Sequence, residues 1–263
     1  MQKKFLVLAT NDDGIDSNGL FHLVKSLEEF AEVKVVAPDK QQSAVGHMLT
    51  ISKPLRVTKF YRNGEVFGYA VNGSPSDCVK LALSTLLDRK PDLIVSGINF
   101  GQNTSVNILY SGTVAAATEG CLAGIPSIAI SLGTYDLEFD CKFPAELSSK
   151  IIKKLLNEQN LQFKLLNINI PALPPSEIKG IKVTHCGNAY WKDNYIKRVD
   201  PFGRDYYWFA GKFVPSDDEG SDDWAIANGF VSITPVNFSF TDYSLIEKMN
   251  EVSFDGLDTL RNF

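Results

Sequence analysis

A wound parallel α/β sheet is the fold class this sequence predicts, and three observations carry the prediction. Short apolar runs such as Phe5-Leu6-Val7-Leu8-Ala9 end abruptly in turn residues, as strands buried on both faces do. Amphipathic stretches at helical spacing separate these runs, and the alternation persists through the first two thirds of the chain. The composition suits a globular core: 263 residues, 44% hydrophobic and 22% charged.

The elements follow in order. After the strand at 5–9, Leu20, Leu23, Val24 and Leu27 mark a helix over 18–30, and Val33-Lys34-Val35-Val36-Ala37 forms a second strand stopped by Pro38, completing a βαβ unit. Ser74 caps the next helix, with Pro75 at its first position and Asp77 favouring the dipole, and Val79, Leu83 and Leu86 extend it to about Leu87. A strand at 91–96 ends in Gly97-Ile98-Asn99. A small-residue helix over 114–123, a strand at 127–132, a helix near 144–157 and a strand at 165–170 follow. Beyond Pro174-Pro175 the chain becomes rich in Tyr, Trp, Phe and Gly without a helical stripe, which predicts hairpins over 181–235. Aromatic hairpin arms stand poorly alone, so this part is expected to pack on another subunit. The predicted division is a catalytic core over 1–175 and an extension with a tail over 176–263. The run 216–223, with five acidic residues, is expected to be a solvated loop.

Charge and cysteine usage narrow the function classes. A net charge of −5 leaves no basic field for a nucleic-acid polymer, while a metal and backbone amides still suffice for a small phosphate compound. The short apolar run after Met1-Gln2-Lys3-Lys4 is too brief for a signal-peptide core or a membrane span, so the expected location is the cytoplasm, with no membrane partner. Cys78, Cys121, Cys141 and Cys186 form no CxxC pair and read as buried thiols rather than zinc ligands.

Three loops at carboxyl ends of predicted parallel strands are small and polar, the place where ligands collect in such sheets. They carry Asn11-Asp12-Asp13, the segment from Gln41 through Ser43 to His47, and the segment from Ser96 through Asn99 to Asn103. Two adjacent carboxylates repel unless a cation or hydrogen bonds compensate, and carboxylate, hydroxyl and amide oxygens suit Mg²⁺, Mn²⁺ or Ca²⁺ better than zinc. Tyr110-Ser111-Gly112-Thr113 precedes a helix and reads either as a phosphate cradle or as simple N-capping. P-loop, dinucleotide and nucleophile-elbow motifs are missing. Of the three histidines, His47 is the one expected near the pocket, as a hydrogen-bonding or a proton-transfer group, whereas His185 is expected in a strand and buried.

The strings VLATNDDGID, VVAPDKQQSAVGH, NGSPSDCVKLAL, DLIVSGINFGQN and LYSGTVAAATEG resemble, in order and spacing, the successive motifs of the SurE family of metal-dependent 5'-nucleotidases. The resemblance continues through DPFGRDYYWFAG and DEGSDDWAIANGFVSITPV. It implies a Rossmann-like α/β core and one divalent cation per subunit, Mg²⁺ or Mn²⁺, with Ca²⁺ as a crystal substitute. It also implies a nucleoside monophosphate substrate and a homodimer or homotetramer joined through the hairpin extension. Carried over by position, the metal ligands are Asp12, Asp13, Ser43 and Asn99; Asp12 or Asp13 is also the expected catalytic group, accepting the attacking water's proton. The phosphate subsite comprises Asn11, Asn103, Ser111, Gly112 and Thr113. The reaction the resemblance implies is hydrolysis of nucleoside 5'-monophosphates, with 3'-monophosphates left open. A broad phosphatase or exopolyphosphatase and a non-catalytic nucleotide-binding module remain as alternatives. The chain departs from the family pattern at Ser105, where many relatives have Gly, and at Thr241-Asp242-Tyr243, where some have His.

Overall fold

The structure, a computed structural model, describes residues 4–252. Elements run β1 (Leu6–Thr10), α1 (Asn18–Leu27), β2 (Glu32–Pro38), β3 (Val57–Arg62), β4 (Glu65–Val71), α2 (Pro75–Leu81), β5 (Leu93–Phe100), α3 (Gly112–Leu122), β6 (Ser127–Leu132), α4 (Lys142–Asn157) and β7 (Leu165–Ile170). The later part contributes β8 (Ile181–Val183), β9 (Tyr190–Lys192), β10 (Tyr195–Val199), β11 (Asp205–Phe209), β12 (Lys212–Val214), α5 (Asp222–Ala227), β13 (Val231–Pro235) and α6 (Tyr243–Met249).

Among the described residues the main sheet orders its strands β3-β4-β2-β1-β5-β6-β7-β13-β8. From β4 to β7 every neighbouring pair is parallel, and β3 and β13 run antiparallel to β4 and β7. All residues of β1, β5, β6 and β7 are buried, the result of covering both faces with helices. Val7 packs with Leu23 and Leu27 of α1 and Ile152 of α4, while Leu8 packs with Val79 of α2 and Ala116 of α3. Successive side chains of one strand therefore enter opposite cores, and each fully buried Leu or Ile contributes about 1.5–3 kcal/mol. This is the expected Rossmann-like α/β core.

Local chemistry sets the helix starts. At α2, Ser74 Oγ accepts from Asp77 N–H (3.1 Å) and Asp77 accepts from Ser74 N–H (2.9 Å), the reciprocal cap its sequence spacing promises. Residues 82–86 continue that helix in a wider turn, close to the expected end. The hairpin β3–β4 was not foreseen. It turns on Asn63-Gly64, with φ of +54° and +85°, the conformation this dipeptide favours between strands.

The extension is more mixed than an all-hairpin segment. β10–β11 and β9–β12 are antiparallel pairs as expected, but β8 and β13 add to the core sheet, and α5 breaks the predicted run of strands. The acidic loop is corrected too: Asp222 and Asp223 are buried, because Ser105, Gly187, Ser216 and Ser221 all donate to them. Ser105 itself has φ of +55°, a backbone state that favours glycine, which accounts for Gly suiting this position. Cys78 and Cys141 are buried as expected, whereas Cys186 is exposed. The expected tail over 253–263 lies outside the described residues.

Helix α1 sits so close to β5 that a Cβ on Gly19 would lie 2.2 Å from Ile98 O. Gly19→Ala is expected to lower stability by about 1–3 kcal/mol, since backbone must shift to relieve the overlap. Urea unfolding measures the loss, and an unchanged midpoint would contradict this packing.

Candidate active site

The chain leaves β1 at Thr10 and turns at once, which sets Asn11, Asp12 and Asp13 at the carboxyl edge of the sheet between β2 and β5. Asp12 is buried; its Oδ1 accepts from Thr113 Oγ1 (2.5 Å) and its Oδ2 from Thr113 N–H (3.1 Å). Asp13 accepts from Phe100 N–H (3.0 Å) and from Gln41 Nε2 (3.4 Å). Burial raises the Asp12 carboxyl above its ordinary range, opposed by the Thr113 bonds. Burial also pushes Asp13 up to about 7, and the Asp12 charge beside it adds to the rise. Among the described residues no Lys, Arg or His pairs with either carboxylate.

Backbone bonds lace the neighbouring loops to this edge. Gln42 N–H donates to Asp12 O (2.7 Å), Ile15 N–H to Pro38 O (2.9 Å) and Gly46 N–H to Tyr110 O (2.9 Å). Gly14, at φ +100°, lies against the Lys40–Gln41 backbone, where a Cβ would sit 3.2 Å from Lys40 C. Ser43 is thereby brought to line the same cavity as Asp12. Asn99, at the end of β5, donates its Nδ2 to Gly101 O (2.5 Å), which leaves its amide oxygen for another partner. Asn103 is gripped from below: Asn169 Oδ1 accepts its N–H, Asn167 and Asn169 donate to its carbonyl, and its Nδ2 donates to Ser131 Oγ.

The N-terminus of α3 closes the far side. Ser111 Oγ accepts from Val114 N–H (3.1 Å), so the capping role is present. Gly112 permits the helix to approach, because a Cβ there would lie 2.9 Å from Asp12 Cβ. Thr113 departs from its expected phosphate role, since its hydroxyl and amide are both spent on Asp12. Asn11 departs in the same way: its Nδ2 donates to Gly14 O and Ser17 Oγ inside the turn, and it is fully buried.

One cavity of about 350 Å³ gathers Asp12, Ser43, Asn99, Asn103 and Ser111, and Asp13 opens into an adjoining hollow that shares Gln41, Phe100 and Leu137 with it. Larger hollows lie elsewhere, but none gathers these loop oxygens. His47 is not in the cavity. Its Nε2 lies 2.7 Å from Glu119 Oε1, and it lines a separate apolar hollow, so it takes the hydrogen-bonding role of the two expected. His185 is exposed and paired with Asp218, not buried. Missed by sequence reasoning were Gln41 as a holder of Asp13, the Asn167 and Asn169 props, and Tyr135 and Trp191 in the cavity wall. Alternate Asn residues in a fully buried strand were a readable signal for the props. Tyr135 follows a parallel strand's carboxyl end, as the other site loops do, whereas Trp191 had no signal.

The donor set fits a hard cation. A buried and a half-buried carboxylate without a basic partner, a hydroxyl and a free amide oxygen form an oxygen-only group, and among the described residues no three His, Cys, Asp or Glu cluster in the manner of a zinc site.

Fold and site together define a Rossmann-like α/β protein with a cluster of oxygen donors at the carboxyl edge of its sheet. The comparisons with known proteins give that class its family. The family model for survival protein SurE matches residues 7–193. A protein named 5'-nucleotidase SurE from Moorella thermoacetica is 47% identical over 93% of this chain and 94% of its own length. One of the same name from Chlorobium phaeobacteroides is 43% identical over 95% of this chain and 96% of its own. The crystal structure of the SurE protein from Aquifex aeolicus superposes with a TM-score of 0.81 at 41% identity, covering 93% of this chain and 98% of that one. The chain belongs to the SurE family.

Thr113→Val keeps the side-chain shape and deletes the hydroxyl that orients Asp12. Apparent Mg²⁺ or Mn²⁺ affinity is expected to fall about 10-fold, by analogy with other ligand-orienting partners, while far-UV circular dichroism stays unchanged. Calorimetric titration with metal measures it, and wild-type affinity would deny Thr113 this role.

Proposed function

We propose that this protein is a metal-dependent 5'-nucleotidase that hydrolyses nucleoside 5'-monophosphates to nucleoside and phosphate. The observation that carries the reading is the convergence of Asp12, Ser43 and Asn99 with the α3 N-terminus on one cavity, with Asp13 beside them. Its relatives' shared name supports the substrate class.

Asp12, Asp13, Ser43 and Asn99 would hold one divalent cation, Mg²⁺ or Mn²⁺. When bound, such an ion polarises a phosphate oxygen and lowers the pKa of water. The chain's own groups do the rest. Thr113 fixes the Asp12 carboxylate through two bonds, so it need not reorganise during reaction. Ser111 and the first-turn amides at Gly112 present donors and the positive end of the helix dipole to an anion. Asn103, immobilised by Asn167, Asn169 and Ser131, holds the opposite side of the phosphate. The Asp12–Asp13 pair accepts the attacking water's proton, because it is the carboxylate pair at the edge where that water is held.

We assign the exposed β10–β11 arm to assembly of a homodimer or homotetramer. Phe202 is 82% exposed, and Tyr195, Val199, Tyr207, Trp208 and Phe209 also face solvent, a patch whose burial against another copy would be favourable. Among the described residues no helix is long and apolar enough to cross a membrane. We place the protein in the cytoplasm, where its four free thiols remain reduced.

Phosphate release from 5'-AMP, 5'-GMP, 5'-CMP and 5'-UMP is expected with Mg²⁺ or Mn²⁺ and is expected to vanish with EDTA. Asp12→Asn should lower kcat/KM about 100-fold. Release that survives chelation, or a faster rate on short polyphosphates than on nucleotides, would defeat the assignment. Light scattering at micromolar concentration should return at least twice the 29.1 kDa chain mass, and a monomer would remove the assembly role of the arm.

A further inference from the structure

The cavity has two chemically distinct ends, and phosphate chemistry accounts for only one. Asp12, Ser43, Asn99, Asn103 and Ser111 supply its oxygen-rich floor, while Tyr110, Tyr135, Leu137 and Trp191 supply the rim. No Lys or Arg lines it, so the rim has nothing to offer a second phosphate.

Both principal rim rings are placed by contacts of the fold. Tyr135 lies against Gly101, where a Cβ would stand 2.5 Å from Tyr135 Cε1, so the glycine leaves the ring its place. Trp191 belongs to β9, opposite Phe213 of β12, and the two rings meet edge to face at 5.7 Å. The arm that carries Trp191 is tied to the site through Asp222, which accepts from Gly187 N–H (2.9 Å) and from Ser105 N–H (2.8 Å). Trp191 is 38% exposed, so it retains open ring surface on the cavity side.

We propose that Trp191, with Tyr135, forms a stacking slot for the nucleobase, which makes Trp191 a specificity-determining residue for the reaction. The inference rests on the nucleotidase reading and extends it. Stacking accepts any base, because every base has a π face, and it strengthens with ring area, so purine monophosphates are preferred over pyrimidine ones with little distinction between adenine and guanine. Chains of phosphate gain nothing from such a rim.

The test is steady-state kinetics of wild type, Trp191→Ala and Trp191→Phe on 5'-AMP, 5'-CMP and the base-free ester ribose 5-phosphate, with Mn²⁺ present. Trp191→Ala should raise KM for 5'-AMP about 10-fold, raise that for 5'-CMP less, and leave kcat and the ribose 5-phosphate constants unchanged. Trp191→Phe should restore most of the loss. A purely structural role would lower kcat on all three esters alike in the Ala variant, and that result overturns the proposal. So does an unchanged ratio of AMP to ribose 5-phosphate specificity. A second readout is indole fluorescence: 5'-AMP should quench wild type and fail to quench Trp191→Phe, and equal quenching would refute the slot. Wild type that hydrolyses none of the esters would instead strike at the nucleotidase reading, which keeps the two failures apart.

Discussion

Two hydrogen bonds between Asp12 and Thr113 hold the site together. They join the end of β1 to the first turn of α3, elements a hundred residues apart in the chain, and so fix a carboxylate and a helix N-terminus at one edge. The junction exists only because Gly112 has no side chain where Asp12 presses on the helix. Thr113 thus spends both its hydroxyl and its amide on orienting a carboxylate.

The site concentrates unfavourable electrostatics that the rest of the fold sustains. Of two adjacent carboxyls one is buried and the other half-buried, and both rise above their ordinary range because burial penalises their charge. Phe100 N–H, Gln41 and Thr113 offset part of that cost without supplying any positive charge. A divalent cation held there would remove the remainder, which is why an oxygen-only donor set at this edge points to a hard metal. Beneath the loop after β5, Asn167, Asn169 and Ser131 turn a buried sheet surface into hydrogen-bonding props, and Asn103 has no freedom to drift.

The second acidic pair, Asp222 and Asp223, shows how the extension is coupled to the core. Their burial at Ser105 and Gly187 anchors the aromatic arm beside the loop that follows β5. The left-handed backbone at Ser105 aims both its amide and its hydroxyl at these acids. A residue that a bare sequence reading places in solvent is in fact a joint of the molecule.

Local patterns determined much of this protein. The apolar runs at β1, β5, β6 and β7, the capping chemistry at Ser74 and the oxygen-rich loops at Asp12, Ser43 and Asn99 were legible because strand burial, helix capping and loop polarity are properties of neighbouring residues. The β3–β4 hairpin was readable in principle from Asn63-Gly64, and the props from alternating Asn in β7. Tertiary structure alone decided the use of each polar group. Thr113 and Asn11 turned inward, His47 went to Glu119, Asp222 was buried, and Trp191 crossed from a distant hairpin to the cavity. Such outcomes depend on which donor meets which acceptor across elements far apart in sequence, and residue type sets what a side chain can bond to without saying what the fold will place within reach.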